Sequence, residues 1–104
     1  MFAFQVMNVN LRAIFHVTKL AIPHLIASGS GRIVNVSSVC GIRSFPNVIT
    51  YCMSKAALDQ MTQCIALELA DKHVRVNSVN PGVIVTEVNL SDIFCAHSYV
   101  ESQF

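Results

Sequence analysis

The chain carries little charge. Asp, Glu, Lys and Arg make up 12% of its 104 residues, against ~25% in an average soluble domain, while hydrophobic residues reach 53%. Disorder is excluded by so apolar a composition. What remains is at most one small domain, with the look of a piece of a larger protein or of a chain that buries surface against partners. The net charge is +1 and no basic cluster occurs, which leaves nothing to favour nucleic acid. No apolar run approaches the roughly 18 residues of a membrane span, because Arg12 and Lys19 interrupt the first hydrophobic segment. The N-terminus lacks the basic stretch and cleavage site of a secretory signal.

Metal and disulfide signatures are missing too. Cys40, Cys52, Cys64 and Cys95 contain no CxxC pair, and His16, His24, His73 and His97 show no ligand spacing. On one helix Cys52 and Cys64 would stand about 18 Å apart at 1.5 Å per residue, too far to bridge. Free thiols in a reducing cytoplasm or organelle lumen, and no metal, are the expectation. Internal repeats and low-complexity stretches are absent.

The elements that are present can be placed by period. Val9, Ala13, Ile14, Val17, Leu20, Ala21 and Leu25 predict a helix over Val6 to Ala27. Pro23, without an N–H, predicts a kink or early end, and Ser28-Gly29-Ser30-Gly31 a turn. Arg32 to Ser37 is short and β-branched, a strand expected to be buried on both faces. After a loop with Gly41 and Pro46, a second helix is expected from Thr50 to Ala70, with Ala56, Ala57, Met61, Ile65 and Leu69 on its apolar side. Val74 to Val79 reads as a second strand, closed by Asn80-Pro81-Gly82. Strand, helix and strand at this spacing make a βαβ unit with two parallel strands.

Within that framework Tyr51 and Lys55 stand out. Four residues apart on a helix they share one face. A free phenol has a pKa of roughly 10, and a neighbouring cation favours its phenolate, so the pair is suited to proton transfer at a substrate oxygen. In a parallel sheet ligands bind beyond the carboxyl ends of the strands. Ser37-Ser38 closes the first strand, Asn80-Pro81-Gly82 closes the second, and the helix bearing Tyr51 and Lys55 starts near the same rim. Singly, each has a plainer explanation: a surface Tyr and Lys, a helix-capping or turn serine, an ordinary Asn-Pro-Gly turn. Their convergence carries the functional interpretation.

With these motifs the chain resembles the second half of a classical short-chain dehydrogenase/reductase, an NAD(P)-dependent oxidoreductase on a doubly wound Rossmann sheet. The resemblance runs from about Phe4 to Thr86. Asn8-Val9-Asn10-Leu11 resembles the helix that supplies the family's catalytic Asn, which falls on Asn10. Ile33 to Ser38 resembles the strand that ends in the catalytic Ser, and spacing to the tyrosine assigns it to Ser38 rather than Ser37. Tyr51 and Lys55 match YxxxK, and Pro81-Gly82-Val83-Ile84-Val85-Thr86 resembles the PGxxxT segment over the nicotinamide.

The resemblance implies that Tyr51 passes the proton, Ser38 donates to the substrate oxygen, and Lys55 acts on Tyr51 and on the nicotinamide ribose. It implies that Asn10 holds a relay water and that Pro81, Gly82, Ile84 and Thr86, with Tyr51 and Lys55, contact NAD or NADP. The Cys40 to Val48 loop would wall a small carbonyl or alcohol substrate. Asn35 reads as structural.

The resemblance is partial. The sequence has no TGxxxGxG, no cofactor-selecting residue after a second strand and no NNAG. We therefore expect a partial Rossmann domain over 1–87, a helix followed by a βαβ unit, and a divergent tail over 88–104. Two apolar strand edges would be left open, making the isolated chain marginally stable or aggregation-prone, and without the glycine-rich anchor for the dinucleotide it is expected to be inactive by itself. The alternative is a truncated, non-catalytic isoform that associates with full-length relatives through its two long helices. Such helices commonly form the family's dimers and tetramers, so a homo-oligomer is implied for the complete protein.

Overall fold

The computed structural model describes residues 2–82. Helix α1 (Phe2–Met7), a π turn (Asn8–Arg12) and helix α2 (Ala13–Ser28) follow one another without a break. In the π turn the N–H of Ala13 reaches the carbonyl of Asn8, one residue farther than in an α-helix. Pro23 does not end the helix early, since α2 continues to Ser28. Ile22 and Leu25, on either side of the proline, both pack on the hydrophobic core, and that burial offsets one missing hydrogen bond. Gly29 stops the helix at φ 76°, its N–H on the carbonyl of Ile26 at 3.2 Å. Glycine adopts this left-handed conformation without strain.

Strands β1 (Arg32–Val36) and β2 (Arg75–Val79) pair in parallel, with Arg32 opposite Arg75 and Val36 opposite Val79. Helix α3 (Ile49–Glu68) connects them, flanked by the 3₁₀ turns Val39–Gly41 and Ala70–Lys72. The βαβ unit is thus as its spacing predicts. Ile65, Leu69, Val74 and Val76 form the buried cluster, with Ile22, Leu25, Ile33, Met61 and Ala66 partly buried against it. Higher along α3, Leu58 is fully enclosed.

Further expectations are corrected. Strand β1 is covered on one face only: Asn35 is buried, whereas Val34 and Val36 are each 62% exposed. Residues alternate across a strand, and among the described residues the helices cover only the face of Ile33 and Asn35. The apolar stripe of the first helix is likewise incompletely covered, since Val9, Val17 and Leu20 are exposed. Ala56, assigned to the apolar side of α3, is exposed as well. Asn35 fills its structural role, donating from Nδ2 to Thr62 Oγ1 at 2.9 Å inside the protein. The proposed tail over 88–104 lies outside the described residues, as do Ile84, Thr86 and Cys95.

Candidate active site

Backbone pairing continues past the strand ends and builds the rim of the site. The Ser37 N–H bonds the carbonyl of Val79 at 2.8 Å, and that of Val39 bonds the carbonyl of Pro81 at 2.9 Å. The turn after β1 and the Asn80-Pro81-Gly82 segment after β2 are therefore held side by side. Lys55 is brought to this rim by α3. It is buried, and its Nζ donates to the carbonyl of Val36 at 3.1 Å. An ammonium has three N–H donors, so among the described residues two remain beyond the bond to Val36.

Tyr51 sits one turn earlier on α3 and is 37% exposed. The Lys55 Nζ lies 5.6 Å from the centre of its ring. The expected pair on one helix face is therefore formed, with the cation inside and the phenol at the surface. Burial pushes the Lys55 pKa down from its ordinary 10.5, and the charges of Asp59 and Cys40 resist that shift.

The two serines take different positions. Ser37 Oγ donates to the carbonyl of Lys55 at 3.3 Å, a buried tie between β1 and α3. Ser38 Oγ accepts from the N–H of Cys40 at 3.1 Å, capping the 3₁₀ turn. That bond uses an oxygen lone pair, and the Ser38 hydroxyl also bonds the Cys40 side chain. Cys40 faces the same rim. Burial pushes its thiol up from 9.0, the neighbouring Cys52 adds to the shift, and the Ser38 hydrogen bond and the Lys55 charge oppose it.

Asn10 lies within the π turn, and its Nδ2 donates to Ser54 Oγ at 3.2 Å. Ser54 in turn donates to the carbonyl of Tyr51 at 2.7 Å, so the first helix grips the turn of α3 that carries Tyr51 and Lys55. Ser54 is fully buried, and nothing in the sequence period marks it.

Two further residues were not singled out by sequence reasoning. Asn80, read there as part of a turn, is a buried clamp. Its Nδ2 donates to the Ser38 carbonyl and to Asp59 Oδ2, both at 2.9 Å, and its Oδ1 accepts from Ser78 Oγ at 3.3 Å. Asp59 stands one turn beyond Lys55 on α3, a spacing at which opposite charges share a helix face. That spacing was the available signal. Gly41 packs against the same carboxylate: a Cβ there would collide with Asp59 Oδ2 and stand 3.0 Å from the Lys55 carbonyl.

Comparison with known proteins agrees with this arrangement. The short chain dehydrogenase family matches residues 3–92. The 3-oxoacyl-(acyl-carrier-protein) reductase FabG of Thermotoga maritima is 48% identical over 81 residues, covering 78% of this chain and 33% of that protein. Human L-xylulose reductase is also 48% identical, over 82 residues, 78% of this chain and 34% of the relative. The chain thus spans about a third of the length of the curated relatives it matches. Among solved structures, an NAD+-bound xylitol dehydrogenase superposes with a TM-score of 0.73 at 37% identity, covering 76% of this chain and 30% of that one. With a parallel βαβ unit bearing this motif set and a family match over most of its length, the chain belongs to the short-chain dehydrogenase family.

Proposed function

We propose that this chain carries the proton-transfer side of an NAD(P)-dependent carbonyl-reduction or alcohol-oxidation centre, and that it occupies the part of the family's domain downstream of the glycine-rich turn. The observation that carries this is the buried Lys55 ammonium, held by Val36 beside the half-exposed Tyr51 ring at the carboxyl rim of the sheet. Tyr51 gives its proton to a carbonyl oxygen in reduction and takes one from an alcohol in oxidation. Lys55 stabilises the negative charge left on the phenolic oxygen. Ser38 donates to the substrate oxygen as charge builds there. Asn10 orders a water that connects Lys55 to solvent.

The residues present fit a nicotinamide dinucleotide. Lys55 has two N–H donors beyond its bond to Val36 for ribose hydroxyls, and Pro81, whose carbonyl accepts from the Val39 N–H, lies on the same rim with Gly82. Ile84 and Thr86 complete the contact set we assign to NAD or NADP. When bound, the nicotinamide supplies or accepts the hydride. TGxxxGxG does not occur in the 104 residues, so the chain by itself is expected to bind the dinucleotide weakly and to be inactive. We place the partial domain at 1–87 and a divergent tail at 88–104, in a reducing compartment. No helix among the described residues is long and apolar enough to cross a membrane.

A chimera tests the proposal. In it, this chain replaces the matching third of the T. maritima reductase, and turnover of a small carbonyl is followed with NADH and NADPH. Turnover that disappears in Tyr51→Phe while cofactor binding persists supports the assignment. Equal turnover in Tyr51→Phe removes Tyr51 from the acid/base role.

The exposed Val9, Val17 and Leu20 favour a second role, association with full-length relatives through the first helix. Failure to co-purify with such a relative would remove it.

A further inference from the structure

We propose that Asp59 is a positioning residue of this centre, one carboxylate that fixes the Ser38 turn through Asn80 and supplies the counter-charge to Lys55. This inference rests on the oxidoreductase assignment for its purpose, but its geometry stands apart from it. Asp59 Oδ2 accepts from Asn80 Nδ2 at 2.9 Å, and the same amide donates to the Ser38 carbonyl at 2.9 Å. Asn80 is 3% exposed, and both of its N–H donors and its oxygen are engaged. The backbone of Ser38 cannot shift without breaking that amide from the carboxylate. Gly41 closes the turn onto the same oxygen, where any side chain would collide.

The second half of the role follows from charge. Asp59 Oδ1 is buried and has no hydrogen-bond partner among the described residues. A clamp on Asn80 alone needs one acceptor, and an amide of the same shape would supply it without burying a carboxylate. A charge kept at that cost is one the site uses, and the cation one helical turn away on α3 is Lys55, whose charged form Asp59 favours without an ion-pair contact within 4 Å. Lys55 is otherwise met by the Tyr51 ring and the Val36 carbonyl, with the Cys40 thiol on the neighbouring turn. None of these is a fixed negative charge at neutral pH. Asp59 therefore favours the charged form of the buried ammonium while holding, through Asn80, the turn of the serine that shares its substrate.

The two functions separate in Asp59→Asn and Asp59→Leu. Lysine side chains labelled at Cε report three groups, Lys19, Lys55 and Lys72, and Lys55→Arg identifies the relevant one. In the full chain, Asp59→Asn should move the Lys55 titration to lower pH and leave the Asn80 side-chain amide signals in place. Asp59→Leu should also expose that amide to rapid hydrogen exchange. A Lys55 titration unmoved by Asp59→Asn, or an Asn80 amide still protected in Asp59→Leu, overturns the proposal. If the chimera neither turns over nor binds NAD(P)H while Lys55 and Asn80 respond as stated, the oxidoreductase assignment fails and the Asp59 network stands.

Discussion

The Lys55 ammonium lies 5.6 Å from the centre of the Tyr51 ring, and it reaches that place by donating to a strand carbonyl on the far side, Val36 at 3.1 Å. The cation is thus fixed from below by β1 and faces the phenol above. A helix alone would leave a lysine free to sample solvent; the parallel strand makes it a directed charge.

That directed charge costs stability, and the cost depends on pH. The folded-state pKa of Lys55 lies below its ordinary 10.5 because burial disfavours the ammonium. Between the two values the unfolded chain binds more protons, so stability rises with pH there. The burden is full below the folded pKa and disappears as pH approaches 10.5. Lys55→Met should therefore have a higher Tm than the unaltered chain at neutral pH, with the gap narrowing on the alkaline side. A Cys40→Ser background removes the opposing thiol, whose raised pKa contributes stability that is lost as pH climbs above 9.0. Thermal melts from pH 7 to 10.5 measure the difference.

The two adjacent serines should separate cleanly. Ser38→Ala is expected to lower turnover of the chimera by about 100-fold or more, the scale of a lost donor to a developing oxyanion, with its Tm little changed. Ser37→Ala loses the tie to the Lys55 carbonyl and should lower Tm more than kcat. Steady-state kinetics beside melting curves decides between them.

Beneath the site, Thr62 accepts from Asn35 and donates to the carbonyl of Leu58 at 2.8 Å. Thr62→Val leaves a buried amide without its acceptor and should cost about 1–3 kcal/mol. Adding Asn35→Leu should restore most of the loss, because both polar partners are then gone. Denaturant midpoints test this.

Gly41→Ala forces the 3₁₀ turn away from Asp59 and the Lys55 carbonyl. Overpacking of this kind costs about 1–3 kcal/mol, and the strain falls on the turn that carries Ser38. We expect a lowered Tm together with shifted Ser38 and Asn80 amide signals in NMR spectra.

Val34 and Val36 present an open apolar face beside a groove of about 460 Å³ lined by Ile14, Val17 and Ala21 of α2. Exposed strands of this composition recruit other chains. Val34→Thr with Val36→Thr should reduce self-association of the chain, measured by light scattering across a concentration series.

The sequence alone determined much of the fold, because its signals are local. β-branched runs, an amphipathic period and Gly29 specify which segments become strands, helices and turns, and the Tyr51–Lys55 spacing places both on one helix face whatever surrounds it. Its limits appear where the outcome depends on distant partners. Pro23 predicts a kink or early end, yet the helix runs on to Ser28 because Ile22 and Leu25 are held by a core that a local rule cannot see. Strand β1 was read as buried on both faces because apolar content gives no information on which layers are there to cover it.

Only tertiary structure decided that Lys55 is buried against Val36, that Ser37 is spent on a backbone tie while Ser38 caps the 3₁₀ turn at the rim, and that Asn80 and Asp59 bind the two strand ends to α3. These relations join residues up to 42 positions apart. Hydrogen-bond geometry in a buried rim, not residue type or spacing, determines which polar group is left available for chemistry.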